Sequence, residues 1–349
     1  MANGSVKILI TSHRFHPDIG GIETVTEILA RHFSAAGHAV RLITQSPAGA
    51  ADPRSFPFAV LRRPSPWQLL SCYRWADVVL QSNLELHTLW PQWLCRRPLV
   101  IALHTWIRSA AGERGLLQRF KQFSLRSADA LIACSQALRL DCHPRAAVIG
   151  NPYNSALFRP IPAEPRRQAI AFLGRLVSDK GADALLRAFA ALRPVDWRLS
   201  LIGDGPERPR LQQLAAELGV HQLVDVVGPL QGEALARMLN QHEIMVVPSR
   251  WREPFGVVVL EGLACGCVVL ASDGGGLPDA VGPAGLLFRR GDQADLEARL
   301  KLLIEDADLR ERLRARAPDH LARFEQHNVC ATYLETLEQV HQQRQRRQA

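Results

Sequence analysis

The run MVVPSRWREPFGVVVLEGLACGCVVLA, residues 245–271, decides the fold. It opens on an apolar stretch, Met245–Pro248, and closes on another, Val268–Ala271. Between them a polar loop carrying Glu253 leads through Phe255-Gly256 into an apolar segment that contains Glu261. Strand, loop, helix and strand in that order form a βαβ unit, which requires parallel strands. A loop entering a helix points unbonded backbone N–H groups forward, and that favours an anion in front of it. Glu253 then lies in the loop, Phe255–Val257 at the helix mouth, and Glu261 about one turn inside. Carboxylates beside an anion-binding helix mouth suit a ligand with phosphates at one end and hydroxyls at the other. A nucleotide-sugar is such a ligand. A buried helix flanked by two solvated acids is the competing reading of the same residues.

The alternation extends in both directions. Strand-like runs are Val6–Thr11, Val40–Thr44, Val78–Gln81, Leu99–Leu103, Ala130–Cys134 and Ala147–Ile149. A helix over Ile22–Ala36 places Ile22, Val25, Ile28, Leu29 and Phe33 on one side and stops at Gly37. After Pro160, Pro162 and Pro165 a second series begins: Ala169–Leu173, the helix Ala182–Leu192, Leu199–Ile202, Val224–Val227, and the opening unit. The expected fold is α/β, with two Rossmann-like domains. The proline-rich stretch places the boundary, giving residues 1–160 and 166–324. A last helix over Val329–Val340 precedes a polar run, Gln342–Gln348, expected to fray.

The chain has 349 residues and a net charge of +8. Residues 1–150 carry 17 Lys or Arg against 9 Asp or Glu, so the excess belongs to the first half. Trp67, Trp75, Trp90, Trp93 and Trp106 are there too. A basic surface with aromatics suits an anionic membrane or an acidic acceptor; tryptophans buried in a core are the alternative. A basic helix around Arg114–Arg126 could rest on such a membrane. No nucleic-acid motif is present. No apolar run approaches the ~20 residues that span a bilayer, and the N-terminus reads as a first strand rather than a leader. Seven scattered cysteines without a CxxC pair point away from disulfides and zinc, and toward the cytosol, where the basic first half would contact the inner face of the membrane peripherally.

Ligands of open parallel sheets bind beyond the carboxyl ends of strands. Gly20-Gly21 follows the first strand and opens the first helix, a place where a ligand can approach backbone. His104 ends the strand Leu99–Leu103 and could bind hydroxyls or shuttle protons, or be an ordinary structural histidine. Arg175 follows Ala169–Leu173, and Lys180 lies five positions on, at the next helix mouth. They read as a diphosphate clamp or as two solvated cations, and the second reading is weakened because cations at a helix start are disfavoured unless an anion is present. Gly203-Asp204-Gly205 does not continue as G-x-G-x-x-G, because position 208 is Arg; it reads as a tight turn.

Six segments together resemble the retaining glycosyltransferases of family 4, which have the GT-B fold. They are HPDIGGIETVTEILARHF (16–33), SADALIACS (127–135), FLGRLVSDKG (172–181), LIGDGPER (201–208), the run from Val247 to Val281, and AGLLFRRGD (284–292). The resemblance implies two domains facing a cleft, with the last helix (325–349) returning to the first. It implies that Arg175 and Lys180 bind the donor diphosphate and Glu253 the donor sugar. The backbone at Phe255, Gly256 and Val257 would meet sugar and phosphate, as would Gly20 and Gly21. Glu261 would hold the ribose, Leu230 would face the nucleobase, and His104 would contact the sugar near the reacting carbon. The implied reaction transfers a hexose, with inversion avoided, from UDP-hexose or GDP-mannose to a saccharide or lipid-linked acceptor, without cofactor or metal. An epimerase or a silent sugar-nucleotide-binding subunit is the rival class. Where relatives read P-N-G-V-D, this chain reads Gly150-Asn151-Pro152-Tyr153-Asn154.

Overall fold

The computed structural model describes residues 5–18, 20–48, 55–107, 121 and 123–348. Contacts divide the chain into two units: Met1–Pro152 with Gln326–Ala349, and Tyr153–Glu325.

The first unit is built on seven parallel strands: β1 (Lys7–Ser12), β2 (Ala39–Thr44), β3 (Ala59–Arg62), β4 (Val78–Ser82), β5 (Leu99–Leu103), β6 (Ala130–Ala133) and β7 (Ala147–Val148). Their order is β3-β2-β1-β4-β5-β6-β7. Every residue of β4 and β5 is buried, as expected of strands covered on both faces. The order reverses beside β1, so the crevice between the carboxyl ends of β1 and β4 is a switch point. The Gly21–Ala35 helix buries Val25, Leu29, Ala30 and Phe33. The final helix, Gln326–Gln348, sends Val329, Cys330, Tyr333, Leu337 and Val340 into the same core. That spacing of three and four is one helical face. The helix begins earlier than its apolar residues indicate and continues through the polar run expected to fray.

The second unit repeats the plan with β8 (Arg167–Leu173), β9 (Arg198–Ile202), β10 (Val224–Gly228), β11 (His242–Val247), β12 (Val268–Ser272) and β13 (Gly285–Phe288). The order is β10-β9-β8-β11-β12-β13, again parallel throughout. Its switch point lies between β8 and β11. The core gathers Phe172, Leu185, Phe189, Leu201, Val246 and Leu270 with their neighbours.

The division falls at Pro152/Tyr153, eight residues before the proline-rich stretch. The reason is visible in the side chains. Asn240 accepts from the Ile161 N–H at 2.8 Å and donates to the Arg159 carbonyl at 3.0 Å. Glu164 accepts from Gln241 at 2.8 Å. The prolines are therefore bound onto the second unit. At the return, Tyr153 N–H donates to the Phe324 carbonyl at 3.3 Å and Tyr153 bridges Glu325.

Candidate active site

Arg175 and Lys180 follow β8; Glu253 follows β11. They stand on the two sides of the second unit's switch point. Lys180 Nζ donates to Glu253 Oε1, and Ser249 Oγ donates to the same oxygen at 2.6 Å. Ser249 is itself held through its carbonyl, which accepts from Ser272 Oγ at 2.8 Å at the end of β12. The Gly276 N–H, beyond β12, donates to the Glu253 carbonyl at 2.8 Å. Glu253 thus joins the ends of three strands. Gly275 makes this approach possible: at φ +69° it turns its backbone so close that a Cβ would lie 2.2 Å from the Glu253 carbonyl oxygen. Lys180 and Glu253 keep 24% and 14% of their side-chain surface, so the pair is sheltered yet reachable.

Arg175 is exposed, and its guanidinium makes no ion pair among the described residues. Backbone hydrogen bonds pin the segment that carries it. Gly174 N–H donates to Ile202 O at 3.0 Å, Leu176 N–H to Asp204 O at 2.8 Å, and Gly203 N–H to Gly228 O at 2.9 Å. Gly203 sits at φ +143° with no room for a side chain, since a Cβ would fall 1.9 Å from the Gly174 carbonyl oxygen. The glycine turn at 203–205 therefore positions the Arg175 loop. Leu230, half-buried, follows β10 on the same edge of the sheet.

The helix Val257–Ala264 starts at Gly256, which is left-handed (φ 104°, ψ 63°) and provides no side-chain cap. Its first N–H groups are thus available to an anion. Phe255, 2% exposed, packs against Phe324 with ring centroids 5.5 Å apart. Glu261 lies one turn inside. Burial among apolar neighbours pushes its carboxyl up to about 7, although the residue keeps an opening to the surface. No side-chain hydrogen bond holds that carboxyl among the described residues.

In the first unit His104 follows β5 and is buried. Its Nδ1 lies 3.0 Å from Asn151 Oδ1, so Nδ1 carries the proton and Nε2 is an acceptor. Burial lowers its pKa to about 4, against the opposing effect of Asn151. Asn83, beyond β4, accepts from the His104 N–H at 2.7 Å and from Thr105 Oγ1 at 3.2 Å. Gly20, by contrast, is extended and not open. The carboxyl of buried Glu23 stands where a Cβ would be, at 2.5 Å. Gly21 has free space around it.

Several supporting residues have no signature in the sequence. Arg250 makes a two-pronged pair with Asp183 at 2.7 and 2.8 Å, while the Arg250 N–H donates to Asp179 O at 2.8 Å. Burial pushes the Asp183 carboxyl up, but the guanidinium outweighs it and leaves the pKa below the ordinary value. This clasp fixes the Lys180 turn against the Glu253 loop. Asn151 belongs to the segment that departs from the relatives' pattern, and its contact with His104 is legible only in three dimensions. The basic helix expected around Arg114–Arg126 lies largely outside the described residues. Of the first-half tryptophans, Trp67 is 80% exposed and Trp93 46%, while Trp75 lies under Arg41, 4.1 Å from its ring centre. None of the seven cysteines is in a disulfide. Among the described residues no helix is long and apolar enough to cross a membrane.

Residues 19–152 match the family described as Glycosyltransferase Family 4, and residues 155–320 match Glycosyl transferases group 1. A D-inositol 3-phosphate glycosyltransferase of Stackebrandtia nassauensis is 42% identical over 168 residues, 44% of this chain and 38% of that protein. Its counterpart in Corynebacterium jeikeium is 40% identical over 170 residues, 46% of this chain and 40% of that protein. These matches span about two-fifths of the length of the curated relatives. Among solved structures, Anabaena Alr3699/HepE in complex with UDP and glucose superimposes with a TM-score of 0.78 at 20% identity, covering 96% of this chain and all of that one. Sucrose-phosphate synthase from Thermosynechococcus elongatus gives 0.78 at 21% identity over 96% and 99%. The likeness to the solved structures shows the GT-B fold, and the two consecutive family matches, which together span most of the chain, show that it belongs to glycosyltransferase family 4.

Proposed function

We propose that this protein is a retaining glycosyltransferase that moves a hexose-type sugar from a nucleotide-sugar to a hydroxyl acceptor. The observation that carries the reading is the contact of Lys180 with Glu253 across the β8/β11 switch point, with Arg175 on the loop that leaves β8. The uncapped helix mouth at Gly256 follows the same strand, β11. A departing nucleoside diphosphate gains negative charge as the bond to the anomeric carbon lengthens. Arg175, Lys180 and the N–H groups at Gly256–Val257 stabilise that charge more in the transition state than before it. Lys180 is shared between Glu253 and the phosphate, so donor binding redistributes an existing pair rather than burying a new charge. Glu253 accepts hydrogen bonds from sugar hydroxyls, Glu261 from the ribose, and Leu230 meets the base. In the first unit His104, neutral at pH 7, presents an acceptor Nε2 suited to a hydroxyl.

Retention follows a front-face path. The acceptor oxygen bonds to the anomeric carbon on the side that the phosphate leaves, and the phosphate oxygen takes the acceptor proton. Fixed cations carry the leaving-group charge in this path, so it requires no metal at the diphosphate. UDP-hexose is the favoured donor, in keeping with the UDP and glucose bound by HepE. The acceptor is a saccharide, a glycolipid or a small polyol; relatives named for inositol 3-phosphate favour testing phosphorylated polyols first.

Incubation with UDP- and GDP-sugars, with and without such acceptors, tests the reading. Nucleotide release that requires both substrates, with the anomeric configuration kept in the product, is expected. Conversion of the sugar-nucleotide without an acceptor would indicate an epimerase. Binding without turnover across the panel would indicate a silent subunit.

A further inference from the structure

The first unit carries a second cluster of chemically capable groups at its own switch point. His13 follows β1; Glu85 and His87 follow β4, its neighbour across the point where strand order reverses. One potential ligand atom from each of the three lies within 4.8 Å of the others. The two imidazoles meet edge to face, with centroids 5.5 Å apart and planes at 84°. The Glu85 carboxylate is oriented by backbone: the His13 N–H donates to Oε1 at 2.8 Å. Its other oxygen, Oε2, is buried and makes no hydrogen bond, and it lies 3.7 Å from His87 Nε2. The Glu85 backbone is also fixed, since its carbonyl accepts from Gln81 Nε2 at 2.8 Å and from Thr88 Oγ1 at 3.3 Å.

A buried carboxylate oxygen without a hydrogen-bond donor is costly. A metal cation flanked by both imidazoles would satisfy it. Two imidazole nitrogens and one carboxylate oxygen form a donor set for a borderline cation such as Zn²⁺, not for Mg²⁺ or Ca²⁺, which take oxygen ligands. Zinc bonds of about 2.0–2.2 Å set tetrahedral ligand atoms roughly 3.3 Å apart. Both histidines are exposed, so rotation of their side chains can close the remaining distance.

We propose that His13, Glu85 and His87 bind one Zn²⁺-class cation, leaving a coordination position open to a water or to an oxygen of a ligand. The pattern is Glu-x-His at the start of the short helix Leu86–Leu89, with a histidine from the neighbouring strand end. This site is separate in sequence and in role from the phosphate-binding cations Arg175 and Lys180.

The test uses the full chain, stripped of metal by chelation and titrated with ZnCl₂ in a non-coordinating buffer. One site per chain is expected, weakened at least tenfold by His13→Ala, by His87→Ala and by Glu85→Gln. The exposed His221→Ala serves as a control and leaves affinity unchanged. Because both histidines are exposed, their substitution leaves the thermal transition of the metal-free chain in place. Co²⁺ provides an independent readout: the visible absorption of a four-coordinate ion is expected in the native chain and lost in His87→Ala. Failure of the native chain to bind more tightly than the double variant His13→Ala/His87→Ala would overturn the proposal. So would equal weakening by His221→Ala.

Discussion

Lys180 and Glu253 are 73 residues apart in the chain and meet side chain to side chain at the carboxyl ends of β8 and β11. A cation assigned to phosphate and an acid assigned to sugar are thus one electrostatic unit. The pairing has a consequence for binding. Glu253→Gln frees Lys180 from its internal competitor. UDP is expected to bind the variant as tightly as the native protein or a few-fold more tightly, while turnover falls about 10²-fold or more. Calorimetry of UDP binding and steady-state rates check this. Weakening of UDP binding by tenfold would show that Glu253 organises the phosphate site rather than competing within it.

Glu261 gives the donor site a pH dependence. Burial raises its carboxyl to about 7, above the unfolded carboxylate range, so the charged form proposed to accept ribose hydroxyls is depleted as pH falls below 7. Nucleotide affinity is expected to rise with pH, approaching tenfold per unit below pH 7, and to level off above it. Glu261→Gln should flatten the profile. Titrations between pH 5.5 and about pH 8 decide the matter.

His104 ties the stability of the first unit to pH with the opposite kind of group. Its folded pKa of about 4 lies below the ~6.5 of an exposed histidine, so the unfolded chain binds the extra proton between those values. The stabilisation is complete above pH 6.5 and is lost as pH falls toward 4, by an amount on the order of 3 kcal/mol. In urea unfolding, His104→Asn should lose less of its stability between pH 7 and pH 5 than the native chain. Parallel losses would contradict the neutral, buried histidine.

Gly203 is the backbone counterpart of these side-chain effects. Gly203→Ala places a methyl 1.9 Å from the Gly174 carbonyl oxygen at φ +143°. Strain and overpacking together are expected to cost about 2–5 kcal/mol and to displace the Arg175 loop. Gly291→Ala, at φ +79° with nothing nearby, should cost about 1 kcal/mol and leave donor binding intact. Melting temperatures and UDP affinities of the two variants separate local strain from loss of the site.

Most strands were legible because parallel strands buried on both faces leave unbroken apolar runs; Leu99–Leu103 matches β5 residue for residue. The two missed strands are sheet edges. β3 (Ala59–Arg62) and β13 (Gly285–Phe288) are short and largely half-exposed, and they lack that contrast. The glycine turns and the helix mouth at Gly256 were readable because backbone geometry restricts the residue type. The pairings of Arg250 with Asp183 and of His104 with Asn151 were not, because sequence spacing carries no record of which strand ends become neighbours. The Gly20 corner shows the limit from the other side: a glycine pair marks an open helix start, yet Glu23 fills the space beside Gly20.

The central claim is that fixed cations at the β8/β11 switch point stabilise a departing nucleoside diphosphate. Transfer kinetics of Arg175→Ala and Lys180→Ala, measured beside their thermal transitions, test it most directly. Each variant is expected to melt close to the native chain and to lose about 10²–10³-fold in kcat/KM. Values of kcat/KM within a few fold of native for both would contradict the account.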